Sequence, residues 1–171
     1  MPRLPVIAYR LIGWYSTTRF NRRLHPWLYG RAGGQGILGR SLGAETVLVQ
    51  VPGRRSGAPR PVALYAFPVG TEVGSPDGSL VVVASRGGSG RIPDWYLNLM
   101  EAARVDVQAR GRRFVVRPRE LSGDAYEIAF ERAAAGYPGY RLYRRKATYH
   151  IPIVALEPVR AAATPDSKPA Q

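Results

Sequence analysis

Six runs of β-branched and apolar residues bounded by turn formers predict a mainly β domain with flanking helices (α+β). These runs fall near 46–51, 59–67, 79–85, 104–110, 113–119 and 151–157. Most are joined by hairpin signals, and only a few helical stretches interrupt them. That pattern favours a small β-barrel over a doubly wound parallel sheet.

The elements follow in order. Leu4, Ile7, Ala8, Leu11, Ile12 and Tyr15 hold the i, i+3, i+4, i+7 spacing of an amphipathic helix, with Pro5 tolerated in its first turn. A second short helix is expected through Leu24, Trp27 and Leu28, and the Gly-rich run Gly30 to Gly43 reads as a loop. The first two strands flank Gly53-Arg54-Arg55-Ser56-Gly57. Gly70 to Gly78, containing Ser75-Pro76-Asp77-Gly78, makes a longer excursion before the third. A helix spans about Pro93 to Ala103. Arg110-Gly111-Arg112 makes a tight hairpin between the fourth and fifth strands. The next helix begins after Ser122, with Asp124 and Glu127 where the helix dipole favours negative charge, and stops at Gly136. Pro138 opens a further helix through about Lys146. The Ala/Pro-rich end, Arg160 to Gln171, is expected to be disordered. The chain thus divides into a basic segment 1–44, a barrel domain 45–159 and a tail 160–171.

The 171 residues carry 25 Lys and Arg against 12 Asp and Glu, a net charge of +13 that will attract anions. Residues 1–44 contribute Arg3, Arg10, Arg19, Arg22, Arg23, Arg31 and Arg40 with no acid among them. The absence of cysteine excludes disulfides, thiolate metal sites and cysteine nucleophiles. The two histidines, His25 and His150, have no metal-ligand spacing, so no metal is expected. No stretch reaches the ~18 apolar residues of a membrane span, and Arg10 interrupts the opening apolar run before a secretory core forms. A cytoplasmic location is expected.

Three motifs are candidates for chemistry. In Gly53-Arg54-Arg55-Ser56-Gly57, with Arg60 beyond, glycines free the backbone to turn its amides and guanidinium groups can fork around phosphate or carboxylate. A merely basic, solvated hairpin loop would have the same local sequence. Ser85-Arg86-Gly87-Gly88-Ser89-Gly90 leads into Pro93-Asp94-Trp95-Tyr96-Leu97-Asn98, offering a hydroxyl, a second anion contact and flat aromatic surface. Equally, it reads as a flexible loop before a helix whose Trp95 and Leu99 pack inward. Tyr137, Tyr140 and Tyr143 recur every three residues and on a helix share one broad face. That face is either a core stripe or a wall of hydroxyl donors.

No paired carboxylates, Ser/His/Asp set or metal cluster supplies reactivity, so an enzyme of this sequence needs a cofactor. Hydride transfer from an anionic redox cofactor meets that requirement.

Taken in order, these motifs carry a family resemblance. Gly53-Arg54-Arg55-Ser56-Gly57, Val83-Ala84-Ser85-Arg86-Gly87-Gly88, Asp94-Trp95-Tyr96-Leu97-Asn98-Leu99, Tyr137-Pro138-Gly139-Tyr140 and Ile151-Pro152-Ile153-Val154 resemble the deazaflavin-dependent nitroreductases, which include F420H2-dependent quinone reductases. The similarity covers about residues 24–159. It implies a split β-barrel, akin to the FMN-binding split barrels, that takes hydride from reduced coenzyme F420 and passes it to quinones or nitro compounds. On that resemblance Arg54, Arg55, Ser56 and Arg60 contact the phosphate and glutamate tail. Val62, Ala63, Leu64, Tyr65, Val83, Ala84, Ser85, Arg86, Asp94, Trp95, Tyr96, Leu97, Asn98 and Tyr140 lie around the deazaflavin and its linker. Tyr65, Ser85, Trp95, Tyr137, Tyr140 and Tyr143 surround the acceptor. Val51-Pro52 stand where the family often has Thr-Thr, and Arg55 replaces its usual Lys.

Two other classes fit the composition. A non-catalytic F420 carrier would share the binding motifs without turnover. A nucleic-acid-binding module would explain the charge, although no recognition helix or RNA-binding motif is present, so no specific nucleic acid is expected. The basic N-terminal segment is expected either to contact an anionic membrane surface, on the inner face of the cytoplasmic membrane, or to pack its apolar stripe on the barrel or on a partner subunit.

Overall fold

The computed structural model describes residues 40–41, 44–68, 79–109 and 111–159. The expected N-terminal helices, the tip of the 68–79 excursion and the C-terminal tail lie outside these residues. Within them the strands are β1 (Arg40–Ser41), β2 (Ala44–Pro52), β3 (Pro59–Pro68), β4 (Leu80–Val83), β5 (Val105–Ala109), β6 (Arg112–Glu120) and β7 (Ile153–Pro158). The helices are α1 (Asp94–Met100), α2 (Gly123–Gly136) and α3 (Gly139–Lys146), and a 3-10 turn occupies Arg86–Gly88.

All six expected strands are present, within a few residues of their expected bounds. The pairing order is β1-β2-β3-β4-β7-β6-β5, every pair is antiparallel, and β2 also pairs with β5. That last ladder, Leu48↔Gln108 to Gln50↔Asp106, closes β2 to β7 into a six-stranded barrel. β1 corrects the reading of Gly30–Gly43 as loop throughout, since Arg40 pairs with Glu45 and Ser41 with Ala44. Two residues between glycines carry no periodicity, so no sequence pattern marked them. The expected third strand stops at Val83 rather than Ser85, and the first helix at Met100 rather than Ala103.

Alternation along the strands sends side chains to two cores. Val47, Val49, Val51, Ala66, Val82, Val105, Val107, Ala109, Val116, Val154 and Leu156 fill the barrel, with Leu99 of α1 among them. Valine suits this lumen because β-branched side chains pack closely on a pleated surface. Phe67, Val81, Val83, Ile153 and Ala155 point outward into a second core under α2 and α3. Each fully buried Val or Ile contributes roughly 1.5–3 kcal/mol relative to exposure.

The α2–α3 pair is further tied by Arg144, which donates to both Glu127 oxygens at 2.9 and 2.8 Å and lies 4.3 Å from the Phe130 ring centroid. Arg141 pairs with Glu131 alongside. Tyr126 of α2 donates to the Ile151 carbonyl at 3.1 Å, joining the helix to the lead-in of β7.

Candidate functional site

The hairpin from β2 to β3 turns at Gly53–Gly57. Its frame is the bond from Gly53 N–H to the Ala58 carbonyl (2.9 Å) and the return from Gly57 N–H to the Gly53 carbonyl (2.7 Å). Gly57 has φ +66°, which glycine adopts at no steric cost. Gly53 serves differently. A Cβ there would lie 2.7 Å from Arg60 Nε and 2.9 Å from Ser56 Oγ, so both side chains converge over a backbone that only glycine leaves open. Arg55, Ser56 and Arg60 are exposed.

The loop is fastened to α1. Asn98, buried to 6% exposure, accepts from the Arg54 backbone N–H at 3.3 Å and from Arg54 Nη1 at 2.9 Å through one oxygen, Oδ1. Asp94 Oδ1 stands 3.9 Å from Arg54 Nη2. Arg54 of the first sequence motif and Asn98 of the second, 44 residues apart, thus meet at one basic corner. Tyr96, on the same helix, donates to Glu120 of β6 at 2.7 Å. Burial together with this bond pushes the Tyr96 phenol up to about 12.

After β4 the chain enters the Ser85–Gly88 turn. Ser85 is buried, and Arg86 is the one non-glycine described residue with positive φ, at +44°. A side chain in that region costs of order 1–2 kcal/mol, which surrounding contacts must hold. Gly88, at φ +72°, lies against Tyr143, whose atoms would approach an added Cβ to 3.1–3.3 Å.

Tyr137, Tyr140 and Tyr143 are all buried in the outer core, so the stripe is core-facing. Tyr137 precedes α3 rather than lying on it, with φ −136° at the end of α2, which corrects the single-helix picture. It reaches the same cluster nonetheless. Its hydroxyl lies 3.0 Å from that of Tyr143, and its ring centroid 5.1 Å from Tyr140 and 5.8 Å from Tyr65. Burial pushes all three phenols up, and at Tyr137 the bond to Tyr143 and the neighbouring hydroxyls add to it. All three therefore keep their protons at neutral pH. Among the described residues the Tyr140 hydroxyl has no hydrogen-bond partner, whereas those of Tyr137 and Tyr143 meet each other.

The structure therefore brings Arg54, Asp94 and Asn98 together at one corner, gathers Ser56 and Arg60 over Gly53, and groups Tyr65, Tyr137, Tyr140 and Tyr143 at a second place. Trp95 joins none of these four tyrosines. It packs with Val62, Leu64, Tyr96 and Met100 against the barrel core. Ala63 lies between on β3, half-buried, and Leu97 faces outward. One residue escaped sequence reasoning: Tyr149 donates to the carbonyls of Ala84 (3.3 Å) and Ser85 (3.2 Å). Its separation of more than 60 residues from that turn left no local signal. No group of His, Asp and Glu suited to a metal occurs among the described residues.

A family model for F420H(2)-dependent quinone reductases matches residues 21–158. A solved structure described as an F420-H2 dependent reductase (FDR-A) is 32% identical, covering 66% of this chain and 93% of that one, with a TM-score of 0.57. Another, described as a domain-swapped dimer, is 28% identical over 77% of this chain and 97% of that one, with a TM-score of 0.59. At 19% identity and a TM-score of 0.50, the Agrobacterium tumefaciens protein Atu2129, of unknown function, shares the fold, with 77% of this chain and 54% of that one covered.

Proposed function

We propose that this chain, which belongs to the F420H(2)-dependent quinone reductase family, reduces a quinone at the junction of its basic corner and its tyrosine cluster. Its F420-dependent reductase activity follows from the family, and reduced F420 is the hydride donor. The residues fit such a cofactor. F420 carries a phosphate and several carboxylates, and the observation that carries this reading is the convergence of Ser56 and Arg60 over Gly53 beside Arg54.

In this reading Arg54, Arg55, Ser56 and Arg60 hold the phosphate and tail. Val62 to Tyr65, Val83 to Arg86 and Asp94 to Asn98 bound the deazaflavin and its linker, with Tyr140 at its edge. When bound, reduced F420 supplies two electrons as hydride. Negative charge then develops on a quinone oxygen, and a donor already oriented toward it lowers the barrier without reorganisation. Ser85 and Tyr140 are the donors of choice, because the Tyr140 hydroxyl is not spent on a neighbour and burial keeps it protonated. Tyr65, Tyr137 and Tyr143 shape the acceptor's surroundings, while Trp95, packed against the barrel core, serves the cofactor side. A solvent proton completes the quinol. Nitro compounds, whose oxygens take up charge in the same way, are a second acceptor class.

We also propose that residues 1–29 hold the enzyme on an anionic membrane surface at the cytoplasmic face, where lipid-soluble quinones reside. Leu4, Ile7, Leu11 and Ile12 supply apolar side chains suited to the membrane interface. The adjacent arginines each add ~1 kcal/mol near anionic lipid. No helix among the described residues is long and apolar enough to cross a membrane.

The function is tested by anaerobic mixing with reduced F420 and menadione, following cofactor oxidation. Saturable turnover with menadione is expected. Tight F420 binding without turnover would make the protein a carrier instead.

A further inference from the structure

We infer that Tyr149 is a positioning residue: its hydroxyl pins the Ser85–Arg86 turn from behind and thereby sets how Ser85 and Arg86 are presented to the cofactor. The inference rests on the reading of this turn as part of the F420 site.

A trans peptide places its carbonyl and its N–H on opposite sides. The Ala84 and Ser85 carbonyls both face the Tyr149 hydroxyl, at 3.3 and 3.2 Å. The N–H groups of Ser85 and Arg86, which belong to those same two planes, therefore point away from Tyr149. Neither N–H is used by the turn itself, whose bonds run from Gly88 N–H to the Ser85 carbonyl (2.8 Å) and from Ser89 N–H to the Arg86 carbonyl (3.3 Å). Two amide donors, the Ser85 hydroxyl and the Arg86 side chain are thus carried by one short piece of backbone.

That backbone needs holding. Arg86 sits at φ +44°, a conformation an L side chain leaves unless its neighbours forbid it. Two contacts oppose relaxation: Tyr143 packs against Gly88, and Tyr149 fixes the plane leading into Arg86. Tyr149 is half-buried against the outer core, so its ring is itself anchored. Burial raises its pKa, outweighing the nearby Arg86 charge that would lower it, so the proton needed for donation is retained.

Tyr149→Phe removes the hydroxyl and keeps the ring. In the full-length protein without cofactor, exchange of the Gly88 and Ser89 amides should speed up by about fivefold, as for one lost hydrogen bond, with α2 and β7 unchanged. The F420 dissociation constant, read by fluorescence, should rise by a similar factor. Arg86→Gly gives the second arm, because glycine holds positive φ unaided. In that background, adding Tyr149→Phe should cost little further affinity. Unchanged exchange in the turn, faster exchange spread through the whole barrel, or fully additive losses in the double variant would each overturn the inference. Wild-type protein that fails to bind F420 would instead overturn the site reading, and the exchange experiment would still decide whether the pin exists.

Discussion

One oxygen of Asn98 accepts two N–H groups of Arg54, one from its backbone at 3.3 Å and one from its guanidinium at 2.9 Å. A buried amide on α1 thereby sets both the course of the β2–β3 loop and the aim of its first arginine. Asn98→Ala should therefore mimic Arg54→Ala, each raising the F420 dissociation constant about tenfold, in line with a charge-assisted bond. The double variant should be little worse than either single one. Arg54→Ala with Arg55→Ala should weaken binding further and reduce its sensitivity to salt, with a smaller effect on the saturated rate. Fluorescence titration across ionic strengths checks both, and independent losses at Asn98 and Arg54 would contradict the coupling.

Tyr140 and Ser85 are expected to act on the rate. Tyr140→Phe keeps the ring in the core and removes a donor, so turnover should fall by up to about a hundredfold while F420 affinity barely changes. Ser85→Ala should behave likewise. Steady-state kinetics with menadione separate the two parameters, and wild-type rates in both variants would remove these residues from the reaction.

Gly136 closes α2 against Phe67, where an added Cβ would come within 2.6 Å of Cε1 and 2.9 Å of Cδ1. Phe67 lies in the buried outer core and cannot withdraw freely. Gly136→Ala should destabilise the fold by about 1–3 kcal/mol, seen as a lower Tm, with F420 affinity retained at temperatures where the variant stays folded.

Alkaline pH should weaken the fold through its tyrosines. Tyr96 is raised from 10.0 to about 12, and Tyr126, Tyr137, Tyr140, Tyr143 and Tyr149 are raised too. Between the ordinary value and the raised one, the folded protein binds more protons than the unfolded chain. This stabilisation is therefore complete below about pH 10 and is lost as pH rises toward about 12. Denaturant midpoints should fall across that window. In Tyr96→Phe the fall should be shallower. A Tyr96→Phe variant that loses stability as steeply as the wild type across this window would contradict the argument.

Liposome co-sedimentation tests the membrane proposal. Full-length protein should pellet with anionic vesicles and poorly with neutral ones, while a chain starting near Gly30 should stay in solution and still bind F420. Unchanged pelleting after truncation would show that residues 1–29 are not the anchor.

What the sequence made legible was whatever is written locally. β2 and β3 announce themselves through β-branched runs, and the approach to β6 through Gly111, which has φ +74°. The burial of Tyr137, Tyr140 and Tyr143 was open beforehand, because a hydroxyl-bearing stripe suits both a core and a wall. What decides it is the layer of α2 and α3 over the outward faces of β3, β4 and β7, a tertiary fact. The same holds for Asn98, which the family resemblance placed beside the cofactor. Its acceptor oxygen meets Arg54, and only the fold brings those two together. Tyr149 was invisible for this reason as well.

The ladder that joins β2 to β5 also governs how the chain reaches its native state. Residues 48–50 must find residues 106–108 across the whole intervening stretch of β3, β4 and α1. Such distant pairings make contact order high and folding slow, since loop-closure entropy is lost before the ladder rewards it. The basic corner has one half on the β2–β3 hairpin and the other on α1, so it exists only once that ring has closed. A ligand held there meets no partly assembled intermediate. It should slow unfolding without hastening folding, lengthening the lifetime of the finished barrel rather than guiding its assembly.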